Sequence, residues 1–227
     1  AGFFLAGKTL KPIEKMVEEQ KRFAADASHE LRTPLTAMRT EIEVALREKK
    51  LALAESKKLL KSNLEEVIKM QNLSSYLLTL SRYDNFNFKL QREKLSLHKL
   101  ALEAKEKASA DARKSGVKIK LLGEKTILAG NETSLSELIS ILLDNAIKYS
   151  RKGGEVIITT RIDGKHATLS IQDSGIGISE AELPHIFDRF YRGDQSRSEA
   201  GTGLGLSLAR AIARAHGGDI TVQSRLH

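Results

Sequence analysis

The sequence predicts an α+β fold, a long helical hairpin followed by an α/β layer in which helices cover a mixed sheet. Three observations predict it. Small and apolar residues recur in alternating steps of three and four along the first part of the chain. No glycine interrupts residues 8–82, where Lys, Glu, Leu and Ala dominate. Beyond Tyr83–Phe88 the rhythm changes to short β-branched runs alternating with helical patterns. Of 227 residues 41% are hydrophobic, enough for a real core, and cysteine is absent, which excludes disulfide scaffolds and thiolate chemistry. The net charge of +8 is divided evenly between the two parts, with no basic stripe interleaved with aromatics, so no nucleic-acid partner is expected.

Residues 1–7, Ala1-Gly2-Phe3-Phe4-Leu5-Ala6-Gly7, are apolar and precede Lys8 and Lys11. So short a run cannot cross ~30 Å of hydrocarbon. It reads either as the cytoplasmic end of a spanning helix that lies mostly outside this chain, or as a plain helix start.

Residues 8–84 form the expected hairpin. Its first helix carries a seam at Ile13, Val17, Gln20, Ala24, Ala27, Leu31, Leu35, Met38, Ile42 and Ala45. The seam breaks at Lys49–Ser56, and a second helix runs to about Arg82 with Leu60, Leu64, Val67, Gln71, Ser74 and Leu78 expected inward. One such hairpin leaves apolar surface open, so two should pair as an antiparallel, dimeric four-helix bundle.

Residues 85–227 form the second domain. Strands are expected at Lys118–Leu122, Thr126–Ala129, Val156–Ile162, Ala167–Gln172 and Ile220–Gln223. Helices are expected near His98–Ser115, Ser134–Tyr149, Glu180–Phe190 and Leu204–His216.

His29 falls between the seam residues Ala27 and Leu31 and, at 100° per residue, points away from the bundle interior. Thr33 lies one turn further on the same face. Pro34 cannot donate to the Glu30 carbonyl, so the helix should loosen just after the histidine. A carboxylate such as Glu30 can bind one imidazole nitrogen and raise the basicity of the other, as a nitrogen nucleophile requires. The run Phe23-Ala24-Ala25-Asp26-Ala27-Ser28-His29-Glu30-Leu31-Arg32-Thr33-Pro34-Leu35-Thr36 resembles the H box of bacterial sensor histidine kinases. The resemblance implies that His29 is autophosphorylated from ATP with Glu30 as general base. It also implies that Thr33 positions water when the same domain dephosphorylates its partner.

Four further pieces converge on a nucleotide. Asn145, Lys148 and Tyr149 share one side of the Ser134–Ser150 helix and offer a metal-binding amide, a phosphate-neutralising ammonium and a ring to lie along a purine. Asp173-Ser174-Gly175-Ile176-Gly177-Ile178 follows a strand, with an acceptor for an exocyclic amine and glycines that allow close approach. Arg189 and Arg192 sit among aromatics, suited to phosphates. Gly201-Thr202-Gly203-Leu204-Gly205-Leu206 opens an apolar helix whose positive end can face anions, and the polar Gly193–Ala200 before it reads as a mobile lid. It is neither a Walker loop nor a Rossmann fingerprint.

In this order and spacing the four pieces resemble the N, G1, F and G2 boxes of the Bergerat-type ATP-binding fold, an α/β sandwich, in its histidine-kinase branch. The resemblance implies ATP and Mg²⁺ as cofactors, with Asn145 on the metal, Lys148, Arg189 and Arg192 on phosphates, Tyr149 beside adenine and Asp173 on its amino group. Gly175, Gly177, Ile178, Gly201, Thr202, Gly203, Leu204, Gly205 and Leu206 then shape the pocket. It further implies a homodimer, a response-regulator partner whose Asp receives the phosphoryl group, and a place in the cytoplasmic portion of a bacterial membrane protein. Two departures stand out. Ile141 occupies the place of a second Asn common in the family, and the chain stops at Arg225-Leu226-His227, before the family's last strand.

Overall fold

The computed structural model of the chain describes residues 2–48, 52–84, 90–164, 166–193 and 201–226. The expected lid, apart from Gly193, and the middle of the hairpin link therefore lie outside the described residues. The chain divides into two compact units, Ala1–Leu78 and Thr79–His227.

The first unit is built from α1 (Gly2–Arg47) and most of α2 (Leu53–Asp84). Side-chain ties such as Arg39–Glu43 at 2.7 Å, one turn apart, support α1. The loosening expected at Pro34 amounts to one missing bond at the Glu30 carbonyl, since α1 continues through it. Hydroxyls cap neighbouring carbonyls here: Thr33 Oγ1 donates to His29 O and Thr36 Oγ1 to Arg32 O. No described helix is long and apolar enough to cross a membrane.

Half-buried Phe23, Ala27, Leu31, Pro34, Met38, Glu41 and Ala45 form the inner stripe of α1, and Ser62 Oγ of α2 donates to Glu41 Oε1 at 3.2 Å. On α2 the covered apolar residues include Leu59, Met70, Leu73, Leu77 and Leu80. This corrects the inward face expected from sequence, because Leu60, Leu64, Val67 and Leu78 are 67%, 58%, 40% and 62% exposed. Two apolar stripes run side by side along α2, about 100° apart. A single partner helix can cover only one of them.

The second unit holds a three-stranded sheet and a two-stranded one. β2 (Lys118–Gly123) pairs in parallel with β4 (Glu155–Asp163), which pairs antiparallel with β5 (His166–Gln172). β1 (Glu93–Ser96), not foreseen from sequence, pairs antiparallel with β3 (Ile127–Gly130). Three helices, α3 (Leu97–Ser115), α4 (Glu132–Tyr149) and α5 (Gly205–Ala215), pack together, α3 against β2 and β4 and α4 against β5. The alternation along β4 shows why. Val156, Ile158 and Thr160 are fully buried while Ile157 and Thr159 are not. With Leu143, Leu204, Leu208 and Ile212 they form the core, each large aliphatic side chain contributing about 1.5–3 kcal/mol. Thr160 is tolerated there because its hydroxyl meets His98 Nδ1 at 2.8 Å and Glu124 O at 3.2 Å.

The caps fix the helix ends. Ser96 accepts from Lys99 N and Asn131 from Ser134 N. Two expected elements are absent. Residues 180–190 form successive turns rather than a helix, with His185 N on Glu182 O, Asp188 N on His185 O and Tyr191 N on Asp188 O. Pro184 cannot donate, and a run of three-residue steps replaces the four-residue ladder. Ile220–Gln223 is not a strand, although its alternation favours one. Among the described residues no strand pairs with it, and the adjacent Ser224 Oγ accepts from Ile178 N at 2.8 Å.

Candidate functional site

In the first unit His29 stands exposed on α1. It borders a groove of about 880 Å³, shared with Arg32, Thr33, Thr36 and Ala37 of α1 and Leu59 of α2. The Thr33 hydroxyl donates to the His29 carbonyl at 3.2 Å, so the two residues are tied through backbone while the imidazole stays open to solvent. Glu30 is also exposed, and no hydrogen bond or ion pair joins it to His29. Neighbouring residues on a helix diverge by 100°, so contact needs a rotamer change.

In the second unit the face of α4 that carries Ile141, Asn145 and Lys148 looks onto the glycine-rich segment before α5. A Cβ built on Gly205 would stand 3.2 Å from Ile141 Cγ2 and 4.0 Å from Asn145 Nδ2, and one on Gly201 would stand 3.4 Å from Lys148 Nζ. Lys148 Nζ also donates to Tyr149 Oη at 3.3 Å and lies 4.9 Å from that ring's centroid. Ile141 is 7% exposed, so it serves as packing for the start of α5.

The Asp173 segment lies against the end of α4. Gly175 forms a bridge with Ser150, and Ile176 N donates to Tyr149 O. A side chain at Gly175 would meet Tyr149 O at 2.4 Å, so only glycine lets the two backbones approach this closely. Gly175 N donates to Asp173 Oδ1 at 2.9 Å, which orients an exposed carboxylate. Gly177 and Ile178 run instead toward the chain's last residues, against Arg225 and Ser224.

The glycine segment itself is anchored twice. Leu204 is fully buried, so it holds the segment from below, while Thr202, Gly203, Gly205 and Leu206 are half-buried above. Gly203 has φ +69° and its carbonyl accepts from Phe190 N at 3.0 Å, while Phe190 carries φ 62°. α5 then begins with no side-chain cap, so its first-turn N–H groups have no cap side chain to donate to, and its first residue, Gly205, lies beside Asn145.

Arg189 is engaged elsewhere, its Nη2 donating to both carboxylate oxygens of Asp84 at 2.7 and 2.9 Å. Arg192 is half-buried nearby in sequence. Asp84 escaped the sequence reading, since nothing local marks a pair separated by 105 residues. So did His216, whose Nε2 accepts from Asn131 N at 3.0 Å while Nδ1 meets Ile212 O at 2.8 Å. Burial holds the His216 pKa below the usual imidazole value; the backbone bond to Ile212 opposes this and the Arg92 charge adds to it. This ring joins the end of α5 to the cap of α4.

The donor set around Asn145 suits Mg²⁺ shared with phosphates. It offers one neutral amide oxygen with no protein partner among the described residues, and no cluster of three His, Asp or Glu able to hold a metal alone.

Comparison with known proteins follows the same division. A model of the His Kinase A (phospho-acceptor) domain matches residues 19–86. A model of the histidine kinase-, DNA gyrase B-, and HSP90-like ATPase matches residues 130–227. The sensor histidine kinase RppB of Synechocystis sp. is 35% identical over 226 residues, which are 98% of this chain and 50% of RppB. The chain thus spans about half the length of the curated relatives it matches. Among solved structures, Acinetobacter baumannii histidine kinase AdeS aligns with a TM-score of 0.65 at 24% identity, covering 82% of this chain and 86% of AdeS. Histidine kinase ThkA, solved in complex with response regulator protein TrrA, aligns with a TM-score of 0.67 at 21% identity, covering 90% of this chain and 59% of ThkA.

Proposed function

The chain belongs to the sensor histidine kinase family through both of its units, and from that premise we propose that it moves the γ-phosphoryl group of ATP to His29 and then to an Asp of a response regulator. The observation that carries this reading is the pairing of an open imidazole on α1 with a second unit whose Asn145, Lys148 and uncapped α5 start converge on one space.

In the transfer, the lone pair of an unprotonated His29 ring nitrogen attacks the γ-phosphorus, a P–N bond forms, and ADP leaves with the electrons of the broken P–O bond. The second ring nitrogen gives up its proton, with Glu30 turned toward the ring as base. Asp173 accepts from the adenine amino group, Tyr149 lies along the purine, and Lys148 with the first N–H groups of α5 neutralises phosphate charge. Arg189 and Arg192 are further phosphate partners. Asn145 would hold Mg²⁺, which when bound offsets charge on the β- and γ-oxygens. Positioning and charge neutralisation supply most of the rate in such chemistry.

The exposed stripe Leu60, Leu64, Val67 and Leu78 supports a dimeric bundle. The open groove beside His29 and Thr33 is where a response regulator would dock, as a kinase–regulator complex exists for ThkA. Thr33, one turn from His29, supports dephosphorylation of that regulator as well. A nucleotide-driven clamp ATPase would use the second unit equally well, but it gives the exposed His29 no task.

Incubation with γ-labelled ATP and Mg²⁺ tests the reading. Wild type should acquire alkali-stable, acid-labile label, and both His29→Ala and Asn145→Ala should lose it. Label retained on His29→Ala would overturn the acceptor assignment.

A further inference from the structure

The pair in which Arg189 Nη2 donates to both oxygens of Asp84 has no role in the transfer just described. Asp84 is the last residue of α2, and its side chain is 49% exposed against 34% for Arg189. An ion pair this open to water contributes about 0.2–1 kcal/mol, so it can exchange. A polyphosphate carries more charge than a carboxylate and matches the guanidinium fork equally well. The turn of α2 before Asp84 is held separately: Tyr83 Oη donates to Ser134 Oγ at 2.7 Å, and Ser134 Oγ donates in turn to Asn131 Oδ1, the cap of α4. Loss of the Asp84 contact therefore need not unfold the helix end. On the other side of Arg189, Phe190 N donates to Gly203 O, so the arginine's backbone is one residue from the loop that opens α5.

We propose that Asp84 is an internal competitor for the nucleotide's phosphates. Its carboxylate accepts from the guanidinium of Arg189. A nucleoside polyphosphate takes the arginine over, releasing the last residue of α2. Occupancy of the nucleotide site is thereby reported at the last residue of α2. This rests on the phosphate role given to Arg189 above.

Calorimetric titration of the whole chain with Mg²⁺·ADP, with a non-hydrolysable ATP analogue and with adenosine tests the competition. Asp84→Asn should bind both phosphate-bearing ligands about two- to fivefold more tightly than wild type, the factor corresponding to an exposed pair. Adenosine, which has no phosphate, should bind equally to both. The gain should vanish in Arg189→Gln, and Asp84→Glu should restore wild-type affinity. Asp84→Ser serves the same purpose if the Asn variant proves unstable. Unchanged or weaker ADP binding by Asp84→Asn overturns the proposal, as does a gain that persists in Arg189→Gln or extends to adenosine. A wild-type chain with no affinity for any adenine ligand would instead sink the nucleotide-site reading itself.

Discussion

Gly203→Ala should cost far more than a methyl group in a half-exposed loop ordinarily would. Gly203 sits at φ +69°, where an L side chain is strained by about 1–2 kcal/mol. The new Cβ would also stand 2.6 Å from Phe190 C, 2.8 Å from Phe190 Cα and 2.8 Å from Tyr191 O. All three are backbone atoms, so no rotamer change relieves the clash, and overpacking of this kind costs about 1–3 kcal/mol. The sum, roughly 2–5 kcal/mol, must appear somewhere. If the junction holds, the second unit melts lower, by about 2–4 °C per kcal/mol for a domain of its size. If Phe190 N lets go of Gly203 O, melting changes little, but the loop no longer presents α5 to phosphates and nucleotide affinity drops at least tenfold. Thermal melting and ADP titration of one preparation read both routes. A variant within 0.5 kcal/mol of wild type in both would refute the reasoning.

Two other outcomes follow from the same structure. His216 has its folded pKa below the usual imidazole value, so the unfolded chain binds the extra proton first. Stability should therefore be fully present above about pH 6.5 and be lost as pH falls below it, through protonation of the nitrogen that accepts from Asn131 N. Denaturant melts at pH 7.5 and 5.5 should show the loss in wild type and a flatter profile in His216→Gln. Leu64→Lys alters a side chain 58% exposed in one chain, so helix content should be kept while sedimentation shifts toward monomer.

Much of this was legible in the residues. α3, α4 and α5 lie within two residues of the expected bounds because periodicity and caps agree, Ser96 and Asn131 pulling two starts slightly earlier. Asn145, Lys148 and the glycine segment do converge, since spacing on one helix face and the need for close backbone approach are local properties. What was missed is non-local or competitive. The α2 stripe was misassigned because both stripes are apolar and only tertiary packing chooses. Residues 180–190 read as helical by pattern, yet Pro184 shifts the hydrogen bonding to shorter steps. The Asp84–Arg189 pair and the His216 bridge depend on the finished fold, so no motif announces them.

The leftover stripe on α2 has a thermodynamic corollary. If two copies pair through Leu60, Leu64 and Leu78, as proposed above, the hairpin draws part of its cohesion from another molecule. Its firmness is then set by mass action, rising with the number of copies per volume, whereas the sheet-containing unit buries Ile158, Leu204 and Leu208 within a single chain and needs no second copy to cover them.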